Sequence, residues 1–209
     1  MIPIVYATTN PGKLAMVQNI FIHHKLKLHS LADYNLKVDI DEVGSSLEEN
    51  ALLKAEGYLK YLPKETIVIG DDTGVEIDAL EGEPGIKVRR WKGYEMQDEE
   101  IINYCLERMK DVPKGKRGSQ FRTVLAIAQN NQPVKYFDGI LHGEILEKPQ
   151  SLRSEGMPFW PIFYIPKLKM SLGQFHAMPI DFQLQNPTHR ELAVLSALPY
   201  LRSRCTSPN

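Results

Sequence analysis

The sequence is poor in cysteine and lacks a long hydrophobic run. Its 209 residues include two cysteines, Cys105 and Cys205, which are too few for a disulfide framework. No apolar run approaches the roughly 18 residues that a membrane-spanning helix needs. The segment Met1–Ile4 also lacks the basic and apolar regions of a signal peptide. We therefore expect no membrane association and a reducing, cytoplasmic location.

An excess of charge of either sign is also missing. The formal net charge at pH 7 is −1, which gives no support for a general nucleic-acid or membrane surface. Any phosphate must then be bound by local clusters of charge. With 43% hydrophobic and 24% charged residues, a chain of this length can bury a substantial core. We expect residues 1–209 to form one domain of two lobes, with a disordered tail from about residue 203.

The most informative stretch is residues 66–75, where an apolar run is followed by two adjacent aspartates, Asp71 and Asp72. The β-branched run Thr66–Ile69 is typical of a buried strand. A buried strand that ends in charge places that charge at the rim of the sheet, where open α/β sheets hold their ligands. Two carboxylates there can bind a hard cation such as Mg²⁺ and position water, and one can act as a general base.

Two other interpretations of this stretch stay open at this point. Asp and Gly are ordinary turn residues, so Asp71–Gly74 is equally compatible with a solvated turn. The tripeptide Asp72–Gly74 is also that of an aspartic protease, whose chemistry needs two carboxylates that share one proton. Because the chain has one such tripeptide, a protease of this kind would have to be a homodimer. The choice depends on segments upstream.

A second polar segment follows the predicted first strand, Ile2–Ala7, and precedes a predicted helix. It consists of Thr8, Thr9, Asn10, Pro11, Gly12 and Lys13. A strand, a small polar loop and a helix N-terminus offer free backbone N–H groups, the positive end of a dipole and here a lysine ammonium, all of which attract phosphate. The glycine spacing is not that of a Walker loop, and a plain turn with a solvated lysine is an equally good interpretation.

The start of a further helix carries two more polar candidates. Ser46 and Glu49 have the spacing of a capping box, which predicts that a helix begins there. Asn50 and Lys54 are four residues apart in that helix and therefore share one face. This face can contribute to a site, or it can be an ordinary solvated surface.

The last helix is predicted to begin with Asn186 as N-cap and Pro187 at its first position. Its first turn then contains His189 and Arg190. Cations in a first turn oppose the helix dipole. Either the nearby Glu191 offsets them, or an anion or a carbonyl-rich ring is bound close to the pair.

Five segments, taken together, resemble the inosine/xanthosine triphosphate pyrophosphatases, the Ham1-type nucleoside-triphosphate pyrophosphatases. In order they are Ala7–Lys13; Leu47–Ala55; Asp71–Gly74 followed by Ile77–Leu80; Pro84–Ile86 with Arg89 or Arg90; and His189–Arg190. The resemblance covers nearly the whole chain. It implies an α/β fold with a long mixed β-sheet flanked by helices, and two lobes with a central substrate cleft. It also implies a homodimer.

The activity implied by the resemblance is Mg²⁺-dependent hydrolysis of nucleoside triphosphates to monophosphate and pyrophosphate, with deaminated purine nucleotides (ITP, dITP, XTP) preferred. Asp72 matches the family's catalytic acid. The metal-binding positions are Glu42 and Asp72, with Asp71 beside them. The positions that match substrate-binding residues are Thr8, Thr9, Asn10, Pro11, Gly12, Lys13, Lys54, Thr73, Phe159, Trp160, His189 and Arg190.

The base-recognition segment departs from the family pattern. The family has a run ending Phe-Gly-Tyr/Trp-Asp-Pro, in which the aromatic residue stacks on the base and the Asp helps to read it. Here Trp160 stands at the Asp position and Pro158 at the glycine, and Leu184 replaces a lysine that precedes the His-Arg pair. A site that hydrogen-bonds a polar edge discriminates by about 10⁴ or more, whereas an apolar pocket discriminates far less.

Three hypotheses follow from these matches and departures. The first is a family-like pyrophosphatase with the usual or a relaxed choice of base. The second is a pyrophosphatase retuned to another nucleotide. The third is a catalytically silent nucleotide-binding homologue.

Overall fold

The computed structural model describes residues 2–205 as a mixed α/β structure. Its strands are β1 (Ile4–Ala7), β2 (His29–Ser30), β3 (Ile67–Ile77), β4 (Pro84–Gly85), β5 (Gly118–Ala128), β6 (Lys135–Ile145), β7 (Phe163–Ile165) and β8 (Met170–Ser171). Its α-helices are α1 (Pro11–His23), α2 (Leu47–Leu59), α3 (Asp98–Arg108), α4 (Leu172–His176), α5 (Ile180–Gln185) and α6 (His189–Cys205). None of the helices within residues 2–205 combines the length and apolar content that spanning a bilayer requires.

All the strands belong to one mixed sheet. Their order is β2-β1-β3-β5-β6-β7-β8, and β4 pairs with β3 away from this path. β1 is parallel to both β2 and β3. β4 is antiparallel to β3, β7 to β6, and β8 to β7. The predicted α/β fold with a long mixed sheet is therefore confirmed.

The chain divides into two compact units. The first comprises Met1–Thr73, Thr123–Gly139 and Thr188–Asn209, and the second comprises Gly74–Arg122 and Ile140–Pro187. One core cluster of the first unit is formed by buried residues of β1, β3, α2 and the segments after β2 and α2: Val5, Ala7, Leu31, Tyr58, Leu62 and Val68. The second unit has a more aromatic core, which includes Phe121, Phe159, Phe163 and Phe175.

β3 continues through the aspartate pair instead of ending before it. The sequence predicts a strand that ends where the apolar run meets the two carboxylates, after Ile69. In the structure the strand extends to Ile77, and Asp71 and Asp72 are only 1% and 7% exposed. Buried carboxylates are tolerated when cations pair with them, and both aspartates have lysine partners. The interpretation as a solvated turn is therefore wrong.

Helix α2 lies directly against β3 at Gly70. A Cβ added to this glycine would lie 2.0 Å from the carbonyl oxygen of Ala51 and 2.8 Å from the backbone nitrogen of Ala55. Both atoms belong to the helix backbone, so neither can move aside alone. The absence of a side chain at Gly70 therefore sets the distance between α2 and the strand that carries the aspartates.

We expect Gly70→Ala to lower the free energy of unfolding by about 3 kcal/mol, the upper end of the usual cost of overpacking. Urea denaturation of both proteins measures the difference. Gly173→Ala is the control, since the nearest atom to its added Cβ would be the carbonyl oxygen of Trp160, at 3.3 Å. Equal losses in the two variants would contradict the close approach at Gly70.

The caps of α2 and α6 differ in part from the predicted ones. Ser46 caps α2 as expected, because its side chain accepts from the N–H of Glu49 at 3.1 Å. The Glu49 carboxylate does not complete the box, since it accepts from the backbone N–H of Ser45 at 2.6 Å. α6 begins at His189, after Thr188, whose carbonyl accepts the first helical hydrogen bond, from Leu192 at 2.9 Å.

Asn186 is therefore not the N-cap of α6; it follows α5 as the C-cap of that helix. The Glu191 carboxylate accepts from the backbone N–H of Thr188 at 3.0 Å and from its hydroxyl. This is the reaching-back half of a capping box, three residues into the helix. It places Thr188 at the N-cap, so the first turn of α6 begins two residues later than the Asn-Pro pattern suggests.

The end of α6 also differs from the prediction, which started a disordered tail near residue 203. The helix continues through Cys205. Its last turns are held by Arg202, which donates to the carbonyl of His24 at 3.1 Å, and by Arg204, which donates to the Gln129 side chain at 2.9 Å. The rest of the predicted tail, residues 206–209, lies outside the described residues.

Candidate active site

Asp71 lies at the centre of a buried ion-pair network in the first unit. Its Oδ1 accepts from the ammonium of Lys13 at 2.5 Å. Its Oδ2 accepts from the hydroxyl of Tyr6 at 2.8 Å and from Nε of Arg190 at 3.0 Å. Burial alone would raise the pKa of Asp71, but Arg190 and Lys13 favour the ionised form so strongly that its pKa lies well below the ordinary value. The network fastens β3 to β1, α1 and α6.

Arg190, in the first turn of α6, pairs with the Asp71 carboxylate of the chain itself, a partner that none of the accounts given from the sequence includes. Its NH2 group also donates to the hydroxyl of Thr73 at 2.8 Å. That hydroxyl is in turn 2.8 Å from the hydroxyl of Thr123 on β5. The side chain of Arg190 is 3% exposed, and its neighbour His189 is buried as well. In this structure Arg190 therefore holds β3 in place.

Asp72 points toward α2, as expected from the alternation of side chains along a strand. Its Oδ2 accepts from the side-chain amide of Asn50 at 3.1 Å, and its Oδ1 lies 3.5 Å from the ammonium of Lys54. Burial raises the pKa of the Asp72 carboxyl above its ordinary value, although Lys54 and Lys13 act in the opposite direction. A carboxylate with a raised pKa is a stronger base than an ordinary one.

Lys54 joins Asp72 to the loop before α2. Its ammonium lies 2.7 Å from Oε2 of Glu42, 2.9 Å from the carbonyl oxygen of Asp71 and 3.5 Å from Oδ1 of Asp72. Burial works against its charge, but Asp72 and Glu42 raise the pKa of Lys54 above its ordinary value. The structure thus brings Glu42 and Asp72, from separate segments, to one cation.

The polar loop after β1 ends at the start of α1 with Lys13 facing the same region. Asn10 is the N-cap: its side chain accepts from the backbone N–H of Lys13 at 3.1 Å, and Pro11 is the first helical residue. The Thr8 hydroxyl accepts from the N–H of Asn10 at 3.2 Å and so closes the loop. Burial lowers the pKa of the Lys13 ammonium, and Lys54 and Arg190 act in the same direction against Asp71.

The candidate base-binding residues Phe159 and Trp160 belong to the second unit. Phe159 is 2% exposed and packs in the core against Phe121 and Trp91. In the structure Phe159 is thus a core residue, and its role in substrate binding stays a prediction. Trp160 is partly exposed and stacks on His176, with ring centroids 4.0 Å apart and an interplanar angle of 16°. Leu184 lies in α5.

Tyr6, Asn50 and Thr123 take part in the site although sequence reasoning did not assign them to it. Asn50 was placed on the same helix face as Lys54, and that spacing was the available signal. Tyr6 is a tyrosine in the middle of a buried strand; a buried phenol needs a hydrogen-bond partner, which predicts a polar neighbour but not its identity. Thr123 lies inside β5, where threonine is ordinary.

The carboxylates also allow a test of whether a metal ion fits. Within residues 2–205, no group of three or more His, Cys, Asp or Glu side chains is arranged to hold a metal. Glu42 and Asp72, however, share one ammonium, so a cation is already favoured between them. Divalent cations such as Mg²⁺ often take one or two protein carboxylates and complete their shell with water and substrate phosphates. The pair fits a cation of that kind.

The sequence was compared with models of protein families and with known proteins. A family model described as the Ham1 family matches residues 4–197. The chain is 33% identical over 202 residues to a dITP/XTP pyrophosphatase of Thermoanaerobacter pseudethanolicus, covering 96% of this chain and 97% of that protein. It is 38% identical over 172 residues to a dITP/XTP pyrophosphatase of Oceanobacillus iheyensis, covering 82% and 85% of the two chains.

Solved structures give the same result at the level of the fold. The Staphylococcus aureus Ham1 protein aligns with a TM-score of 0.77 at 32% identity, covering 96% of this chain and 98% of that one. A Ham1 protein from Coxiella burnetii aligns with a TM-score of 0.77 at 28% identity, covering 97% and 100%.

Proposed function

The chain belongs to the Ham1 family, and from that premise we propose that it hydrolyses nucleoside triphosphates to monophosphates and pyrophosphate. Its preferred substrates are the deaminated purine nucleotides dITP, ITP and XTP. Relatives of similar length are dITP/XTP pyrophosphatases. The observation that carries the proposal is the convergence of two carboxylates and two lysines, Glu42, Asp72, Lys13 and Lys54, from four separate segments of the first unit.

The same contacts argue against the aspartic-protease interpretation. In such a protease, two carboxylates share one proton. Asp72 is 7% exposed and its carboxylate is occupied by the amide of Asn50 and the ammonium of Lys54, which leaves no access for a carboxylate of a second chain.

Glu42 and Asp72 are the proposed ligands of a divalent cation, which we take to be Mg²⁺. When bound, Mg²⁺ polarises phosphoryl oxygens and offsets their charge. Asp71, the third metal ligand suggested by the sequence, is left out of the set. Both of its oxygens already accept hydrogen bonds from Lys13, Tyr6 and Arg190. A metal on either oxygen would have to compete there with the ammonium of Lys13 or the guanidinium of Arg190.

In the proposed mechanism Asp72 orients the attacking water and accepts its proton, a task suited to its raised pKa. Lys13 and Lys54 neutralise the charge that grows on the phosphates. The backbone N–H groups of the loop Thr8–Gly12 add to that effect at the N-terminus of α1. Cleavage between the α and β phosphates yields the monophosphate and pyrophosphate.

The test is a panel of nucleoside triphosphates with identification of the products. With Mg²⁺ at mildly alkaline pH, we expect ITP, dITP and XTP to give pyrophosphate and the monophosphate. The four ordinary ribonucleotides should react more slowly by at least about tenfold, the lower end of what one changed contact in an apolar pocket gives. A chelator should stop the reaction. No pyrophosphate from any triphosphate with added Mg²⁺ would contradict the proposal.

A second candidate is the same reaction on a different base. It is favoured by Trp160, which places an indole where the family resemblance implies a carboxylate. One face of this indole is already stacked on His176. An indole cannot accept a hydrogen bond from a base edge. The same panel decides, because a clear preference for ITP over ordinary, modified and pyrimidine nucleotides would exclude it.

We further propose that the protein is a homodimer that works in the cytoplasm. The family resemblance supports the dimer, and the two free cysteines, Cys105 and Cys205, fit a reducing compartment. Light scattering during size-exclusion chromatography measures the mass of the assembly. A monomer at micromolar concentration would contradict the proposed homodimer.

A further inference from the structure

We propose that, without nucleotide, the Lys54 ammonium occupies the place of the divalent cation between Glu42 and Asp72, so that metal binding requires this lysine to leave. The inference rests on the proposed function for the identity of the metal site. It concerns Lys54 itself, which the resemblance matches only to a phosphate-binding lysine. It makes Lys54 the residue that keeps the metal affinity of the unliganded protein low.

The first support is the set of oxygens around the ammonium. An ammonium has three N–H donors and no acceptor. Lys54 has three oxygen neighbours, from Glu42 at 2.7 Å, the Asp71 carbonyl at 2.9 Å and Asp72 at 3.5 Å. Carboxylate and carbonyl oxygens are also the ligands that hard cations prefer. Only 12% of the side chain is exposed, so the ammonium is held in the site.

The second support is that the Asp72 carboxylate and the backbone of the loop that carries Glu42 are held in place without Lys54. The Asn50 side chain donates to Asp72 at 3.1 Å and accepts from the backbone N–H of Gly44 at 2.8 Å. It thereby connects β3 to the loop that carries Glu42, two residues before Gly44. A Cβ at Gly44 would lie 2.6 Å from Oδ1 of Asn50, so this close contact depends on the glycine. Removing the ammonium should therefore leave Asp72 in place and Glu42 on a loop still tied to β3, within reach of a cation bound to Asp72.

A metal ion bound to both carboxylates would take the position that the Lys54 ammonium holds between them, and two cations cannot occupy one position. Lysine carries its charge on a flexible four-carbon stem, so the ammonium can swing from the carboxylates to a nearby phosphate. A triphosphate that arrives with its metal supplies both a replacement for the ammonium and a new partner for it. Metal and nucleotide are therefore expected to enter together, whereas metal alone has to displace Lys54 without compensation.

The test measures Mn²⁺ binding without nucleotide, by the loss of the electron paramagnetic resonance signal of free Mn²⁺. We expect Lys54→Met to bind Mn²⁺ at least about tenfold more tightly than the parent, which corresponds to about 1.4 kcal/mol. Lys54→Gln, which keeps a hydrogen-bond donor but no charge, should change affinity in the same direction. It serves as the second variant if Lys54→Met does not fold.

Lys13→Met is the matched control. It removes the same charge from the same region, but its ammonium lies on Asp71 at 2.5 Å and not on the proposed metal ligands. It should improve Mn²⁺ affinity less than about threefold. Adding Glu42→Gln to Lys54→Met should abolish the gain. Parent-like affinity of both Lys54 variants, an equal gain from Lys13→Met, or a gain that survives Glu42→Gln would each overturn the inference.

The outcome is separable from that of the nucleotide panel, because Mn²⁺ binding needs no turnover. An active parent whose Lys54 variants gain no affinity contradicts this inference alone. A tight-binding Lys54→Met beside a parent inactive on every triphosphate supports the role of Lys54 in the cation site and contradicts the proposed hydrolysis.

Discussion

Asp72→Asn is expected to lower pyrophosphate release by about a thousandfold, within the range found for loss of a general base. The amide can neither accept the proton of the attacking water nor offer a charged ligand to the cation. The loss should appear in kcat, because Lys13 and Lys54 still bind the phosphates. Steady-state kinetics with the best substrate of the panel measure the effect.

The variant should remain folded. Burial raises the pKa of Asp72, which means that the folded protein disfavours its ionised form, and a neutral amide of the same shape removes that penalty. Lys54 keeps Glu42 and the Asp71 carbonyl as partners. We therefore expect the melting temperature to be unchanged or higher, and nucleotide binding to persist. An Asp72→Asn protein with parental kcat would exclude Asp72 as the base.

A variant that binds nucleotide without turnover, beside an active parent, would also decide against a catalytically silent homologue. The hypothesis of a silent protein predicts that parent and variant behave alike. The comparison thus uses one substitution to separate the enzyme from the binding module.

Much of the site could be predicted because its members lie in short motifs whose order in the chain is informative. The family resemblance identifies Asp72, Glu42, Lys13 and Lys54 as candidates from the sequence alone. The structure brings the four side chains together. The general rule that placed charge at a strand end gave the right region but the wrong geometry. It treated Asp71 and Asp72 as equivalent, whereas alternation along β3 gives them different neighbours.

What could not be predicted are contacts between residues far apart in sequence. Arg190 reaches Asp71 across 119 positions, and Tyr6 reaches it across 65. No local pattern identifies such partners, since an arginine in a first helical turn predicts an anion but not which one. The burial of Phe159 could not be predicted either, because an aromatic residue suits a core and a base-stacking surface equally well.

Asp71→Asn should have the opposite consequences to Asp72→Asn, although the two residues are adjacent. It leaves Lys13 and Arg190 buried without their counter-charge. Removing one partner of a buried ion pair costs about 3–5 kcal/mol, because the other charge stays desolvated. For a protein of this size, such a loss lowers the melting temperature by about 10 °C. Urea denaturation of the parent and of both variants measures the difference, with Asp72→Asn as the isosteric control.

The stability difference between the parent and Asp71→Asn should also depend on pH in a defined direction. The pKa of Asp71 is lowered in the folded protein, so its ionised form contributes stability that is fully present above the unfolded-state pKa of about 3.9. As the pH falls below that value toward the folded-state pKa, the contribution is lost. The advantage of the parent should therefore be constant from about pH 5 upward and shrink below about pH 4. A variant as stable as the parent at pH 7, or a difference that does not narrow in acid, would mean that Asp71 does not anchor the buried network. In that case the carboxylate would again be available as a third ligand for the cation.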